Sequence, residues 1–258
     1  KMAGSNNVGY KKVKLFYGGA QVKTWCEFYD GPALAGADSM LEGGNFRIME
    51  FNVSPGSTQH EFKFKGKDSP DFYCASLESP TGVYVDNISQ RGSSGTFFQY
   101  INFSQLKSFY DYLNVKLVIL QYGGNALPAL KDKSNVTNFA SYFNGQIALV
   151  KKAAPNASIL FIGPADMSVK DGADYVTHPL LEDTRDALRE VAFNNGCAFF
   201  DMYDCMGGKN SMQSWVDEKM AATDYIHFSP QGARKIATLL YSSLNANYNN
   251  YIKTKGKK

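Results

Sequence analysis

Three histidines occur in the chain, and one of them stands where it could do chemistry. Asp224 precedes His227 by three residues in the run Asp224-Tyr225-Ile226-His227-Phe228-Ser229-Pro230. A carboxylate beside an imidazole orients the ring, fixes its tautomer and stabilises the imidazolium formed when the ring takes up a proton. This is the general-base half of acyl transfer. The spacing alone is common. Here it runs into Ser229-Pro230, a helix-capping residue followed by proline at the first helical position. His60, in a β-rich stretch, and His178, just before Pro179, read as structural or exposed.

Acyl transfer also develops negative charge on a carbonyl oxygen, which fixed donors stabilise. Gly123-Gly124-Asn125 offers a side-chain amide, and the loop Ser89-Gln90-Arg91-Gly92-Ser93-Ser94-Gly95 offers backbone N–H groups at glycine, where the chain can approach closely. Each has a plainer use: Gly92 could only make the turn, and Asn125 could cap Ala126–Ala129.

Positioning these residues requires a scaffold, and the chain changes texture near Ser79-Pro80. Before it lie short aromatic and β-branched runs (Val13–Tyr17, Thr24–Tyr29, Phe46–Val53, Glu61–Lys65, Phe72–Leu77) broken by turn residues. They predict a small antiparallel β-sandwich over 9–80. After it, apolar runs at Val83–Ile88, Lys116–Tyr122, Ser158–Ile162 and Ala198–Phe200 alternate with helical patterns at Phe103–Leu113, Val136–Ala153 and Leu180–Asn194, with a last helix after Ser229-Pro230. Strand–helix alternation with fully apolar strands predicts an α/β domain over 81–250, a doubly wound parallel sheet covered on both faces. Ligands bind such sheets beyond the carboxyl ends of the strands. The loops carrying Gly92, Asn125 and Asp224–His227 all follow strands or lead off that rim.

In order and spacing, these blocks resemble the SGNH (GDSL-family) hydrolases over about the last two-thirds of the chain. The segment Asp224–Gly232 is similar to the family's final block, where Asp and His complete the triad. Gly123-Gly124-Asn125 resembles the G-x-N block, with Ala126 in place of the usual aspartate, and Gly92 matches the glycine of the oxyanion loop. The resemblance implies a flavodoxin-like fold and ester hydrolysis with Asp224 and His227 catalytic and Gly92 and Asn125 forming the oxyanion hole. It also implies a nucleophilic serine in a G-D-S motif at the end of the first sheet strand. No such motif is present. Gly36-Ala37-Asp38-Ser39 has an inserted alanine and no apolar strand before it, and Ser93 and Ser94 occupy the oxyanion loop.

One group of SGNH esterases, acting on acetylated peptidoglycan or other polysaccharides, carries a carbohydrate-binding-like β-sandwich inserted between the serine and glycine blocks. Residues 9–80 sit where that insertion would. The expectation is therefore an esterase that removes acetyl groups from a polysaccharide or peptidoglycan, or acts on another small ester, whose serine lies on an upstream segment of its parent chain and which is periplasmic or secreted. Trp25, Tyr29 and Tyr73 offer sugar-stacking faces, although core packing is the commoner use of such rings. A non-catalytic carbohydrate-binding protein on a decayed hydrolase scaffold is the competing reading. It explains the absent serine directly but gives no reason for Gly92, Asn125, Asp224 and His227 to stand together.

Composition narrows the field further. With 44% hydrophobic residues the 258-residue chain can bury a substantial core. The net charge is +3, and four lysines in the last six residues leave a slightly acidic body. This argues against a nucleic-acid partner and makes 251–258 a solvated, fraying basic tail. No apolar run reaches the length of about 18 residues that a membrane span needs. No signal core opens the chain, so an export signal would lie upstream. The four cysteines form no C-x-x-C pair, and neither G-x-G-x-x-G nor a P-loop occurs, so no metal or cofactor is expected. Cys26 and Cys74 could form a bridge or be buried thiols.

Overall fold

The computed structural model describes residues 9–255. The chain divides into two compact units, one ending at Ser89 and one starting at Gln90.

The first unit has six strands: β1 Lys12–Gly18, β2 Thr24–Asp30, β3 Ala33–Met40, β4 Arg47–Asn52, β5 His60–Lys65 and β6 Asp71–Glu78. They pair antiparallel in two three-stranded sheets, β4-β1-β6 and β3-β2-β5. The period-2 alternation of β2 explains its packing. Cys26 and Phe28 face a core with Val13, Leu15, Met49 and Phe51, while Trp25, Glu27 and Tyr29 face outward. Strand β3, rich in small residues and containing Gly36–Ser39, carries no aromatic signal in sequence and pairs along the whole of β2. The cysteines are free. Cys26 is a thiol that burial pushes up to about 11, and Cys74 is exposed.

The second unit runs α1 Phe103–Tyr112, β7 Leu117–Gln121, α2 Lys133–Ala153, β8 Ser158–Ile162, β9 Ser168–Asp171, β10 Asp174–Thr177, α3 Leu181–Asn194, β11 Ala198–Phe200, α4 Met202–Met206, α5 Ser211–Asp217 and α6 Pro230–Lys255. Strands β7, β8 and β11 form a parallel sheet in the order β11-β8-β7. The central strand reads as a continuous apolar run because both its faces are buried. Ile159 and Phe161 pack with Phe143, Ile147 and Leu188 of α2 and α3. Leu160 and Ile162 pack on the other side with Met212 and Trp215 of α5 and Ile236 and Leu240 of α6. Asp132 caps α2, its side chain accepting the Asn135 N–H, and Asn102 caps α1 through Gln105.

Two expectations need correcting. Val83–Ile88 forms no strand: the run has no regular structure and is exposed, Val83 by 93% and Ile88 by 87%. A flavodoxin-like sheet orders its strands 2-1-3-4-5, so the strand in this place bonds to one neighbour only, the first strand. Among the described residues no segment pairs with the run, and its backbone groups are better satisfied by water. Nor is the sheet covered on both faces throughout. Leu117 and Ile119 of β7, beside the buried Leu160 of β8, are 46% and 44% exposed. Helix α6 continues to Lys255.

Candidate active site

The loop after α5 is a small hairpin-like excursion clipped at its base. Ala221 and Phe228 form an antiparallel bridge. The Ser229 N–H donates to the Met220 carbonyl at 2.9 Å, and the Ala222 N–H to the His227 carbonyl at 2.8 Å. The Ser229 hydroxyl accepts the Gly232 N–H at 3.3 Å, the capping bond foreseen from Ser229-Pro230, and donates to the Lys219 carbonyl at 2.7 Å. Gly232 is required here, because a Cβ at that position would fall on the Met220 carbonyl oxygen.

At the loop's apex Tyr225 has a left-handed backbone, φ +59°. The turn brings two N–H groups onto Asp224: those of Ile226 and His227 donate to its Oδ1 at 2.9 and 3.0 Å. Its Oδ2 lies 2.8 Å from His227 Nδ1. The His227 N–H first, and then the imidazole and the Ile226 N–H, hold the Asp224 carboxyl below the usual carboxylate range. A carboxylate acceptor at Nδ1 fixes the proton there and leaves Nε2 as the nitrogen free for proton transfer. The His227 side chain is 75% exposed, so Nε2 is open to a reactant.

The other two expected residues are linked through Ser93, the neighbour of Gly92. Asn125 lies beyond the carboxyl end of β7, inside a 3-10 turn over Gly124–Ala129 whose capping position is Gly123. Its side-chain amide caps nothing; Asn125 Nδ2 donates to the Ser93 carbonyl at 3.1 Å. The loop that contains Gly92 is thereby tied to Asn125. Gly92 has φ +74° and open space around it, in a turn closed by the Ser93 N–H on the Gln90 carbonyl at 3.2 Å. Gly95, φ +83°, is packed tightly: a Cβ there would meet Tyr122 at 2.6 Å and Phe143 at 2.7 Å. Among the described residues no hydrogen bond links either Gly92 or Asn125 to His227.

The candidate nucleophiles are engaged locally. Ser93 Oγ accepts the Gly95 N–H at 3.1 Å, and Ser94 Oγ lies 3.4 Å from Thr96 Oγ1. Ser39 sits on β3 in the first unit. His178 Nδ1 accepts the Leu180 N–H at 3.2 Å and His60 Nε2 lies 2.9 Å from the Tyr10 hydroxyl, both structural settings. Among the described residues no cluster of His, Cys, Asp or Glu is arranged to hold a metal ion.

Sequence reading missed the β9–β10 hairpin, and it gave Asp166, in the rim segment that follows β8, no role of its own. The turn Asp171-Gly172-Ala173-Asp174, with Gly172 at φ +61°, was the available signal, since glycine at the first position of a two-residue loop marks a hairpin. Asp166 is fully buried just after β8. Its Oδ1 accepts from the Thr177 hydroxyl and the Met167 N–H, and its Oδ2 from the Met212 N–H and the Ser211 hydroxyl. The Ser168 N–H donates to the Tyr225 carbonyl at 3.0 Å, which sets the Asp224–His227 loop at the carboxyl end of β8.

The profile of the GDSL-like Lipase/Acylhydrolase family matches residues 54–235. A structure of a peptidoglycan O-acetylesterase is similar at a TM-score of 0.72 and 21% identity, covering 95% of this chain and 67% of that one. The YxiM protein of Bacillus subtilis matches at a TM-score of 0.42 and 14% identity, covering 93% of this chain and 78% of its own. An acetyl xylan esterase matches at 0.39 and 16% identity, covering 55% of this chain and 76% of its own. No curated protein matches the sequence.

Proposed function

The chain belongs to the GDSL-like lipase/acylhydrolase family, and from that membership we propose that it is the acid–base and oxyanion portion of an esterase that removes acetyl groups from a glycan. The observation that carries the reading is the Asp224–His227 contact of 2.8 Å through Nδ1, with Nε2 open to solvent. The similarity in fold to a peptidoglycan O-acetylesterase directs it toward acetylated peptidoglycan or another polysaccharide, and toward a periplasmic or extracellular site of action.

In this reading His227 Nε2 takes the proton of a serine hydroxyl as the serine oxygen attacks the acetyl carbonyl. Asp224 stabilises the imidazolium so formed. The amide of Asn125 has two N–H groups, and Ser93 uses one. The second, together with the Gly92 N–H, receives the oxyanion. His227 then returns the proton to the departing sugar oxygen as the carbon–oxygen bond breaks. Water, deprotonated by the same imidazole, attacks the acyl-serine, and His227 returns that proton to the serine oxygen as its bond to the acetyl carbon breaks and acetate leaves. The serine is supplied by a strand–helix segment of the parent polypeptide outside this sequence, the strand pairing with the uncovered edge of β7. Residues 9–80 are then an insertion between the serine block and the Gly92 block.

Release of acetate from O-acetylated peptidoglycan by the complete protein tests the proposal. Acetate should appear with the wild-type protein and be lost in His227→Ala. Equal release by His227→Ala would overturn it.

A further inference from the structure

The residue between the carboxylate and the imidazole is gripped from outside its own loop. The Tyr225 carbonyl accepts the Ser168 N–H of β9 at 3.0 Å. Its ring stacks on Tyr175 of β10, with centroids 3.8 Å apart and planes within 9°. Its own N–H donates to the Ala222 carbonyl at 3.1 Å. Three contacts thus meet on one residue that also holds a left-handed backbone, φ +59°, which a bulky side chain rarely adopts.

The hairpin that supplies two of these contacts is itself fastened. Thr177, at the end of β10, donates its hydroxyl to the buried Asp166 at 2.8 Å, and its N–H to Asn210 Oδ1 at 2.9 Å. Asn210 returns its own N–H to the Thr177 hydroxyl at 2.7 Å. Gln213 of α5 donates its side-chain amide to the Tyr175 carbonyl. A continuous path of bonds therefore runs from the carboxyl end of β8 through Asp166 and the hairpin to Tyr225.

We propose that Tyr175 and Tyr225 are positioning residues: their stack, backed by the Ser168–Tyr225 bond, holds the apex of the loop so that Asp224 and His227 keep their mutual geometry at the rim of the sheet. The reasoning is local. The left-handed turn at Tyr225 is what brings the Ile226 and His227 N–H groups onto Asp224 Oδ1. A strained backbone persists only where its surroundings over-determine it. The loop's own base closes on the His227 side, at Ala221 and Phe228, while the hairpin's two contacts act on Tyr225, the residue next to Asp224. Neither tyrosine meets the reactant in this account; both act through Asp224.

The proposal rests on reading Asp224 and His227 as the acid–base pair, and its test needs no ester turnover. The titration of the Asp224 side-chain carbon is followed by NMR in the wild-type chain and in Tyr175→Ala, Tyr175→Phe and Tyr225→Gly. Its lowered midpoint reports the bonds made by the Ile226 and His227 N–H groups and the imidazole. Tyr175→Ala should raise the midpoint toward the ordinary aspartate value of about 3.9, while Tyr175→Phe, which keeps the stacking ring, should leave it in place. Tyr225→Gly accommodates the left-handed backbone, removes the stacking side chain, and should behave as Tyr175→Ala. If Tyr175→Ala fails to fold, Tyr225→Gly decides. An unmoved midpoint in a folded Tyr175→Ala or Tyr225→Gly, or the same shift in Tyr175→Phe, would overturn the proposal.

Discussion

Oδ2 of Asp224 lies 2.8 Å from Nδ1 of His227, while Oδ1 of the same carboxylate receives the N–H groups of Ile226 and His227. Every one of these bonds favours the ionised carboxyl, whose pKa is lowered. The stabilisation of a carboxyl depressed in the folded state is fully present above its unfolded value and is lost as pH falls through the folded value. The loop should therefore keep its geometry down through the ordinary carboxylate range, about 3.9, and loosen only in stronger acid. Backbone amide shifts of Ile226 and His227 followed against pH will show this. In the complete enzyme, Asp224→Asn should cost about 10⁴-fold in kcat, as loss of the orienting carboxylate does in such triads.

Asn125→Ala removes the proposed oxyanion donor and a tether together, because its amide also holds the Ser93 carbonyl. The complete enzyme should lose about 10²–10³-fold in kcat with KM nearly unchanged. Steady-state kinetics on an acetyl ester will measure both. An unchanged kcat would return Asn125 to a loop-fastening role.

Gly232→Ala and Gly95→Ala test the backbone that carries the site. The first would drive a methyl into the Met220 carbonyl, which anchors the base of the Asp224–His227 loop through Ser229. The second would press on Tyr122 and Phe143 at a positive φ. Each should destabilise the fold by about 1–3 kcal/mol through overpacking. Gly124→Ala, with open space around its Cβ, should be nearly silent in the same urea titration.

Much of this arrangement is local and therefore legible in sequence. Strand β8 shows its two buried faces as an uninterrupted apolar run, and Ser229-Pro230 marks the start of α6. The Asp224–His227 contact is a matter of three residues in one turn. What escaped depends on distant partners or on weak side-chain signals. Val83–Ile88 has the composition of a strand but no neighbour to bond with among the described residues, and a strand is defined by its neighbour. Strand β3 is built of small residues that carry little β signal and is held by its pairing with β2. The β9–β10 hairpin is four residues a side with mixed polarity, too short for periodicity to show. Its link to Tyr225 joins residues far apart in the chain.

Leu117 and Ile119 on the uncovered face of β7, at the edge of the sheet, make association of isolated chains the expected behaviour. Sedimentation should show concentration-dependent association of the chain alone, reduced by Ile119→Lys with the far-UV spectrum unchanged. A monomer at all accessible concentrations would contradict this.

The central claim is that this chain holds the base, its orienting acid and the oxyanion donors, and takes its nucleophile from elsewhere. The direct measurement is the hydrolysis rate of p-nitrophenyl acetate by three proteins. These are this chain alone, the chain joined to the serine-bearing segment proposed to precede it, and the joined protein with that serine changed to alanine. The account predicts turnover by the joined protein only, with the other two lower by about 10⁶-fold, as removal of a nucleophile costs. Ser93 Oγ is engaged with the Gly95 N–H and Ser94 Oγ lies beside Thr96 Oγ1, so neither should substitute. Robust turnover by this chain alone, abolished by Ser93→Ala or Ser94→Ala, would contradict the account and make a loop serine the nucleophile.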